Sequence, residues 1–287
     1  MARTSESAKQ KQSVIFLHIH KTAGNTLNKV IDHQFKRTSI FTRHPYYPQK
    51  FNDEFKKLSE AQRERIRAIK GHMFFGLHEF LPQPSTYITI LRDPVDRIIS
   101  YYYHLRRNPK YKKLYYNDVT SQPMSLEDFV RSGLAPVLEN GQTRLLSGVR
   151  EVDTANEILK RAKKNLQEHF TVVGLTERFD ETLILLKRVF GWRNIFYTKL
   201  NVGTNRSKKE DIPKETLSVI EKHNELDIEL YRYAQERFNE QIRQQGPSFE
   251  RELREFRSLN KLYGNLYKFL RPMTTGFRHW LKTRRAG

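Results

Sequence analysis

Short apolar runs alternate along the chain with segments whose apolar residues have helical spacing. The first run, residues 14–19, is continuous and rich in β-favouring residues, as in strands buried on both faces of a parallel sheet. A loop containing Gly24 follows, and Leu27, Val30 and Ile31 then recur at helical spacing. A strand, a short loop and a helix in this order predict the opening of an α/β unit.

The same alternation recurs downstream. Apolar β-favouring runs predict strands at residues 68–70, 87–91, 171–175 and 195–197. Helical spacing predicts helices at residues 53–67, 94–106, 153–168, 177–190 and 213–242, with a further helix starting at Ser125 and an irregular connection at 38–53. Asp93 and Pro94 suit the N-cap and first position of the helix that follows the 87–91 strand. We therefore expect a three-layer α/β domain with a parallel sheet flanked by helices.

The chain divides into three parts by composition. Residues 1–12 are polar and predict a disordered arm, and residues 13–245 carry the alternating pattern. Gly246-Pro247 marks a boundary, after which residues 246–287 form a basic, aromatic tail. Pro272 and Gly276 are expected to interrupt any long helix there.

The charge balance points to an anionic partner. Lys and Arg number 52 against 32 Asp and Glu, a net charge of +20. The tail has ten Lys or Arg and three Glu, which is 10 − 3 = +7, so +13 remains on the rest. Its mixture of Leu, Tyr, Phe and Trp with basic residues suits an anionic membrane surface. The same composition suits docking on the domain itself or on a second copy.

Two absences narrow the function classes. The sequence has no cysteine, which excludes disulfides, thiolate metal sites and a cysteine nucleophile. No apolar segment has the length of a signal-peptide core or a membrane span. From these features we expect a cytoplasmic protein, with the tail as a candidate peripheral membrane contact.

The loop after the first strand has the composition of an anion site. A helix N-terminus presents unpaired N–H groups and the positive end of its dipole, and Lys21 adds a charge there. Thr22, Asn25 and Thr26 add side-chain donors, and Gly24 is expected to permit a tight backbone path. The pattern differs from the nucleotide P-loop, and a turn with a charged rim is the simpler alternative.

A second candidate anion site follows the 87–91 strand. That strand delivers Arg92 to the carboxyl edge of the sheet, where ligands of α/β folds bind. Ser100 lies two helical turns further on, and together they suit a second phosphate of the same ligand. The alternative is that Arg92 pairs locally with Asp93 or Asp96.

These two segments carry a family resemblance. H-I-H-K-T-A-G-N-T-L after a strand resembles the 5′-phosphosulfate loop of sulfotransferases, and I-L-R-D-P-V-D-R-I-I-S-Y-Y-Y-H resembles their 3′-phosphate segment. The similarity is strongest to the Golgi-type glycan branch, the heparan sulfate 2-O- and 6-O-sulfotransferases and their soluble bacterial relatives. Supporting segments in the same order are K-G-H at 70–72, N-G-Q-T-R at 140–144, V-G-L-T-E at 173–177 and N-V-G-T-N-R at 201–206.

The resemblance implies a donor, a fold and a set of roles. The donor is 3′-phosphoadenylyl sulfate (PAPS), the product is adenosine 3′,5′-bisphosphate (PAP), and the fold is P-loop-NTPase-like. Lys21 is the implied catalytic cation. The implied donor-binding residues are Lys21, Thr22, Ala23, Gly24, Asn25, Thr26, Arg92, Ser100, Thr204 and Arg206.

The resemblance defines the general base and the residues that bind the acceptor less closely. Among ten histidines, His72 is the preferred base because it follows a predicted strand end and matches the family position. His78 is the second candidate and His20, where the family usually has Pro or Gln, the third. His20, His78, Arg106, Arg107 and Arg144 are the candidate acceptor-binding residues.

The expected partner is a glycan or another small hydroxyl acceptor, and no metal is expected to be required. Two rival functions stay open at this point. A P-loop kinase or NTPase would need a Walker loop and a magnesium-binding carboxylate, which the sequence does not clearly provide. A non-enzymatic binder of heparin-like chains or nucleic acid would explain the charge but not two anion sites at strand ends.

Overall fold

The computed structural model describes residues 12–43, 47–107, 124–148, 154–198 and 207–283, with side chains as far as residue 270. A parallel five-stranded sheet runs through the centre in the order β2-β3-β1-β4-β5. Its strands are β1 (Ser13–Leu17), β2 (Ile40–Thr42), β3 (Ala68–Gly71), β4 (Ser85–Leu91) and β5 (Phe170–Leu175). The predicted α/β fold with a parallel sheet flanked by helices is confirmed.

Helices of very different length connect and cover the strands. They are α1 (Gly24–Gln34), α2 (Pro48–Lys56), α3 (Glu60–Glu64), α4 (Pro94–Arg107), α5 (Leu126–Arg131), α6 (Gly141–Ser147), α7 (Ala155–His169), α8 (Phe179–Phe190), α9 (Lys214–Lys222), α10 (Glu225–Arg243) and α11 (Ser248–Thr283). The predicted cap of α4 is confirmed, since the Asp93 carboxylate accepts a hydrogen bond from the Asp96 N–H at 2.9 Å. Ser125 caps α5 in the same way.

Three local predictions were wrong. The stretch 38–53 contains edge strand β2 and the start of α2 rather than an irregular connection, and the predicted 53–67 helix is divided between α2 and α3 at residues 57–59. The helix predicted from Pro213 to 242 is divided between α9 and α10. The break lies at Asn224, a buried residue whose amide donates to the carbonyls of Leu138 and Ile220.

The predicted strand at 195–197 was wrong, because this segment belongs to no strand among the described residues. Its side chains instead hold α11 against the domain. The Phe196 ring stacks on Phe256 and Tyr263, and the Tyr197 N–H donates to Asn260 at 2.9 Å. The apolar run that resembles a strand therefore serves as a contact for a distant helix.

Helix α11 combines a packed start with a projecting end. Phe249, Leu253 and Phe256 are buried in the core of the domain, so the tail is continuous with that core over its first turns. The helix then continues through Pro272 and Gly276 to Thr283, contrary to the predicted interruption. A firmly packed first part explains this, because extending an existing helix costs less than starting one.

No helix in the described part of the chain has the combination of length and apolar composition that crossing a membrane requires.

The sheet order creates a crevice for a ligand. The chain leaves central β1 towards β2 on one side and later crosses to β4 on the other side. Ligands of open parallel sheets bind outside the carboxyl ends of the strands where the chain direction diverges in this way. Here that position lies between the loop after β1 and the loop after β4.

Candidate active site

The carboxyl ends of three adjacent strands bring the predicted residues together. Leu17 at the end of β1 is in register with Gly71 of β3 and with Thr89 of β4. The residues that follow these strands therefore meet at one edge of the sheet. They are the His18–Thr26 loop after β1, His72 after β3 and Arg92 after β4.

The loop after β1 takes an unusual backbone path. Lys21 and Ala23 are both left-handed, with φ of 69° and 61°, a conformation that side chains other than glycine rarely adopt. Gly24, which was expected to permit a tight backbone path, is helical and does not have a left-handed φ. It is glycine for lack of space: a Cβ there would lie 2.0 Å from the imidazole of His18.

The loop ends at the N-terminus of α1. No side chain caps this end, and its first turn contains no acidic residue. Thr22 differs from the expectation that its side chain faces a ligand, because its buried hydroxyl donates to the Ile19 carbonyl at 2.9 Å. Asn25 is exposed, whereas Gly24 and Thr26 are buried.

Arg92 connects the two predicted anion sites. Its Nη1 donates to the carbonyl oxygen of Lys21 at 3.1 Å, across 71 residues of sequence. This contact differs from the local pairing with Asp93 or Asp96 that the sequence left open. Ser100 lies two turns into α4, the helix that Asp93 caps, and is half-buried.

Three histidine rings form a stack beside Lys21. The His72 ring lies between the other two, with its centroid 4.2 Å from His18 and 3.6 Å from His20. The Nδ1 of His72 lies 2.6 Å from the His18 carbonyl oxygen, which can only accept a hydrogen bond. Nδ1 therefore carries the proton, and in the neutral ring Nε2 is the nitrogen that can accept one.

His20 is half-buried beside His72. Burial, followed by the nearby His72 and Arg97, holds the pKa of His20 well below its ordinary value. Its Nδ1 is a buried polar atom with no hydrogen-bond partner among the described residues. The His20 ring is nearly perpendicular to the ring of Tyr101, with the centroids 6.0 Å apart.

His104 belongs to the same neighbourhood but was not singled out from the sequence. Burial lowers the pKa of this imidazole to about 4, with the positive charges of Lys21 and Arg107 acting in the same direction. The signal that could have identified it is its position on α4, one turn after Ser100.

His78 lies elsewhere. Its ring contacts Phe75, Tyr87 and His169, and His169 immediately precedes the amino end of β5, whereas His72 is at the carboxyl edge. A cleft of about 480 Å³ between this segment and α7 contains both His78 and His169. The structure therefore does not place His78 with the candidate base or donor residues.

The three arginines that were predicted to bind the acceptor are exposed. Arg106 is exposed and donates to the Tyr102 hydroxyl at 3.0 Å, and Arg107 is exposed at the end of α4. Arg144 is exposed on α6 and donates to the Glu139 carbonyl. Thr204 and Arg206 lie outside the described residues, as do residues 108–123.

The described residues contain no group of three or more His, Cys, Asp or Glu side chains arranged to hold a metal ion. The expectation that no metal is required stays a prediction.

Comparisons with known proteins identify the family of the chain. The family model described as Galactose-3-O-sulfotransferase matches residues 2–266. The chain is 27% identical over 274 residues to human Galactose-3-O-sulfotransferase 3, a match that covers 89% of this chain and 63% of the relative. It is 27% identical over 270 residues to human Heparan-sulfate 6-O-sulfotransferase 2, covering 78% of this chain and 44% of the relative. The chain thus spans less than two thirds of the length of these relatives.

The predicted resemblance to glycan sulfotransferases is confirmed by these matches. The predicted cytoplasmic location was wrong, because the glycan sulfotransferases that the chain matches are of the Golgi type. The composition of the chain does not predict its compartment, because the residues that form the fold do not determine where the protein is located. With the family model matching most of its length, the chain belongs to the galactose-3-O-sulfotransferase family.

Proposed function

We propose that the chain transfers a sulfuryl group from PAPS to a hydroxyl group of a glycan. The single observation that carries the proposal is the hydrogen bond from Arg92 to the Lys21 carbonyl, which joins two cationic strand ends at one edge of the sheet. A donor with a 5′-phosphosulfate and a 3′-phosphate needs two such positive positions. The names of the relatives make a galactose residue the first acceptor to test.

Lys21 and the start of α1 would hold the 5′-phosphosulfate. The dipole and N–H groups of an uncapped helix N-terminus favour an anion, and no acidic side chain in its first turn opposes one. Arg92 and Ser100 would hold the 3′-phosphate at the neighbouring strand end. Their role is to select a 3′-phosphorylated donor over ordinary nucleotides.

His72 would act as the general base. Because its Nδ1–H donates a hydrogen bond to the His18 carbonyl, its Nε2 can accept the proton of the acceptor hydroxyl. The acceptor oxygen then forms a bond to sulfur while the bond from sulfur to the 5′-phosphate oxygen breaks. Lys21 would stabilise the negative charge that develops on the departing PAP.

The experiment that tests the proposal measures donor recognition first. Calorimetric titration should give tight binding of PAP and much weaker binding of 5′-AMP. Arg92→Ala should raise the dissociation constant of PAP by roughly tenfold or more, as expected for the loss of one charged contact of about 1.5–3 kcal/mol. Arg131→Ala, which removes an exposed arginine paired with Glu127 on α5, is the matched control.

Transfer to an acceptor is the second measurement. Sulfuryl transfer from PAPS to a galactose-terminated oligosaccharide, compared with transfer to desulfated heparan sulfate, distinguishes the two acceptor types named among the relatives. Equal affinity for PAP and 5′-AMP, with no transfer to either acceptor, would contradict the proposed enzyme. That outcome would favour a polyanion-binding function for this basic chain.

A further inference from the structure

The side-chain amide of Gln142 forms two hydrogen bonds with the main chain of Arg92. Its Oε1 accepts from the Arg92 N–H at 3.1 Å, and its Nε2 donates to the Arg92 carbonyl at 3.0 Å. The pairing of β4 with β5 ends one residue earlier, at Leu91 and Leu175. Gln142 therefore pairs with Arg92 as a neighbouring strand would, and it is fully buried.

A buried carboxylate fixes the main chain of Gln142 in turn. Asp227 accepts from the Gln142 N–H at 3.1 Å and from the Thr143 N–H and hydroxyl, each at 2.7 Å, which caps α6. Asn140 reciprocates, because its side-chain oxygen accepts from the N–H groups of Leu226 and Asp227 at the start of α10. The starts of α6 and α10 thus cap each other.

Arg97 ties this arrangement to the helix that carries Ser100. Its Nη2 donates to Asp227 at 3.2 Å and to the Val137 carbonyl at 2.9 Å, and both partners of the ion pair are completely buried. Arg97 and Ser100 belong to the same helix, α4. One buried network therefore reaches Arg92 through Gln142 and reaches the helix of Ser100 through Arg97.

We infer that Gln142 is a positioning residue for the 3′-phosphate site, acting through the main chain of Arg92. The inference rests on the proposed function. Without the amide, the Arg92 N–H and carbonyl would lose their partners just beyond the end of β4, and the guanidinium would no longer be held beside Lys21. The N-G-Q-T-R segment then has a definite role: Asn140 and Thr143 fix the start of α6, and Gln142 fixes Arg92.

The test replaces Gln142 by Met, which keeps the length of the side chain and removes both hydrogen bonds. We expect the dissociation constant of PAP to rise roughly tenfold, a loss of about 1.4 kcal/mol, while that of 5′-AMP changes far less. The KM for PAPS should rise with kcat at saturating donor unchanged, since the loss is one of binding. In the Arg92→Ala background, Gln142→Met should cause no further loss of PAP affinity.

The matched control is Asn165→Leu. Asn165 is also a buried amide, but its Nδ2 donates to the carbonyls of Leu146 and Ser147 at the other end of α6. This variant should lower the free energy of unfolding and leave the preference for PAP over 5′-AMP as in the wild type. A role that is only structural would make the two variants alike in this preference.

Two results separate failure of the inference from failure of the proposed function. If the wild type binds PAP and 5′-AMP equally, the proposed function is contradicted. If the wild type prefers PAP and Arg92→Ala loses the preference, but Gln142→Met retains it, the positioning role is overturned. If Gln142→Met does not fold, Gln142→Glu replaces it, since it keeps the acceptor for the Arg92 N–H and places an oxygen against the Arg92 carbonyl. A lost preference for PAP in Gln142→Glu would support the positioning role, and a retained preference would overturn it.

Discussion

Arg92 and Lys21 are joined by a hydrogen bond of 3.1 Å from a guanidinium nitrogen to a main-chain carbonyl. Lys21 has left-handed backbone geometry, so this contact stabilises a conformation that is otherwise costly for a residue with a side chain. The two ends of the candidate donor site are consequently not independent. A change in the loop after β1 is therefore expected to alter the position of Arg92, the residue that follows β4.

Lys21→Ala tests the catalytic cation. Because the ammonium would stabilise charge developing on the departing PAP, its loss should reduce kcat by about 10²–10³, the usual effect of removing one such donor. The measurement is sulfuryl transfer from PAPS, with the melting temperature followed to show that the fold is intact. Lys29→Ala removes an exposed lysine from α1, the helix that follows this loop, and should keep wild-type turnover. Turnover at the wild-type rate in Lys21→Ala itself would remove this residue from the mechanism.

His72→Ala tests the general base. Loss of a positioned base costs about 10²–10⁴ in rate, and because His72 is not assigned to the donor site, the affinity for PAP should stay close to that of the wild type. The measurements are turnover at saturating PAPS and calorimetric titration with PAP. His20→Ala is the informative comparison, since the two rings are stacked at 3.6 Å. A larger loss in His20→Ala than in His72→Ala would transfer the role of base to His20.

Local rules in the sequence predicted the strand–loop junctions well. The apolar runs of β1, β4 and β5 and the Asp93-Pro94 start of α4 depend on neighbouring residues, so they are visible in one stretch of chain. The edge on which Lys21, His72 and Arg92 meet also followed from the rule that parallel strands end together. These parts of the site needed no tertiary information.

The parts that were missed depend on residues far apart in the sequence. Gln142 is separated by 50 residues from the Arg92 main chain that it pairs with. The apolar segment at 195–197 reads as a strand, whereas its Phe196 packs on aromatic rings of α11, and nothing in the segment itself reveals those partners. The reason that position 24 must be glycine was not visible either, because the sequence does not show that the His18 ring fills the space of the missing Cβ.

The histidines near Lys21 make the pH dependence of stability testable. The pKa of His104 is about 4 in the folded protein against an ordinary value of 6.5, with burial the main cause and Lys21 the next. Between these two pH values the unfolded chain binds a proton that the folded chain does not. This contribution to stability is therefore complete above pH 6.5 and is lost as the pH falls towards 4.

The comparison of wild type with His104→Gln isolates that contribution. The variant should show a shallower loss of the free energy of unfolding between pH 6.5 and 4, measured by urea denaturation at each pH. In Lys21→Ala, NMR titration should give a pKa for His104 above that in the wild type, because one cation that lowers it is gone. Parallel stability curves for wild type and His104→Gln would contradict the burial of this imidazole.

The buried ion pair of Arg97 and Asp227 makes the last prediction. Both side chains are completely buried, and Nε and Nη1 of Arg97 have no hydrogen-bond partner among the described residues. Asp227→Ala removes the charge that compensates the guanidinium and the cap of α6, so it should cost about 3–5 kcal/mol in the free energy of unfolding. Glu127→Ala, which breaks the exposed pair with Arg131, should cost only about 0–1 kcal/mol.

The double variant shows where that cost arises. If it comes mainly from an uncompensated buried charge, replacing Arg97 by Met in the Asp227→Ala background should recover part of the lost stability, because no buried cation then remains. The affinity for PAP should be lower than in the wild type for Asp227→Ala and should stay low in the double variant, since in both the N–H groups of Gln142 and Thr143 lack the Asp227 carboxylate that holds them. Recovery of both quantities would mean that the network stabilises the fold without positioning Arg92.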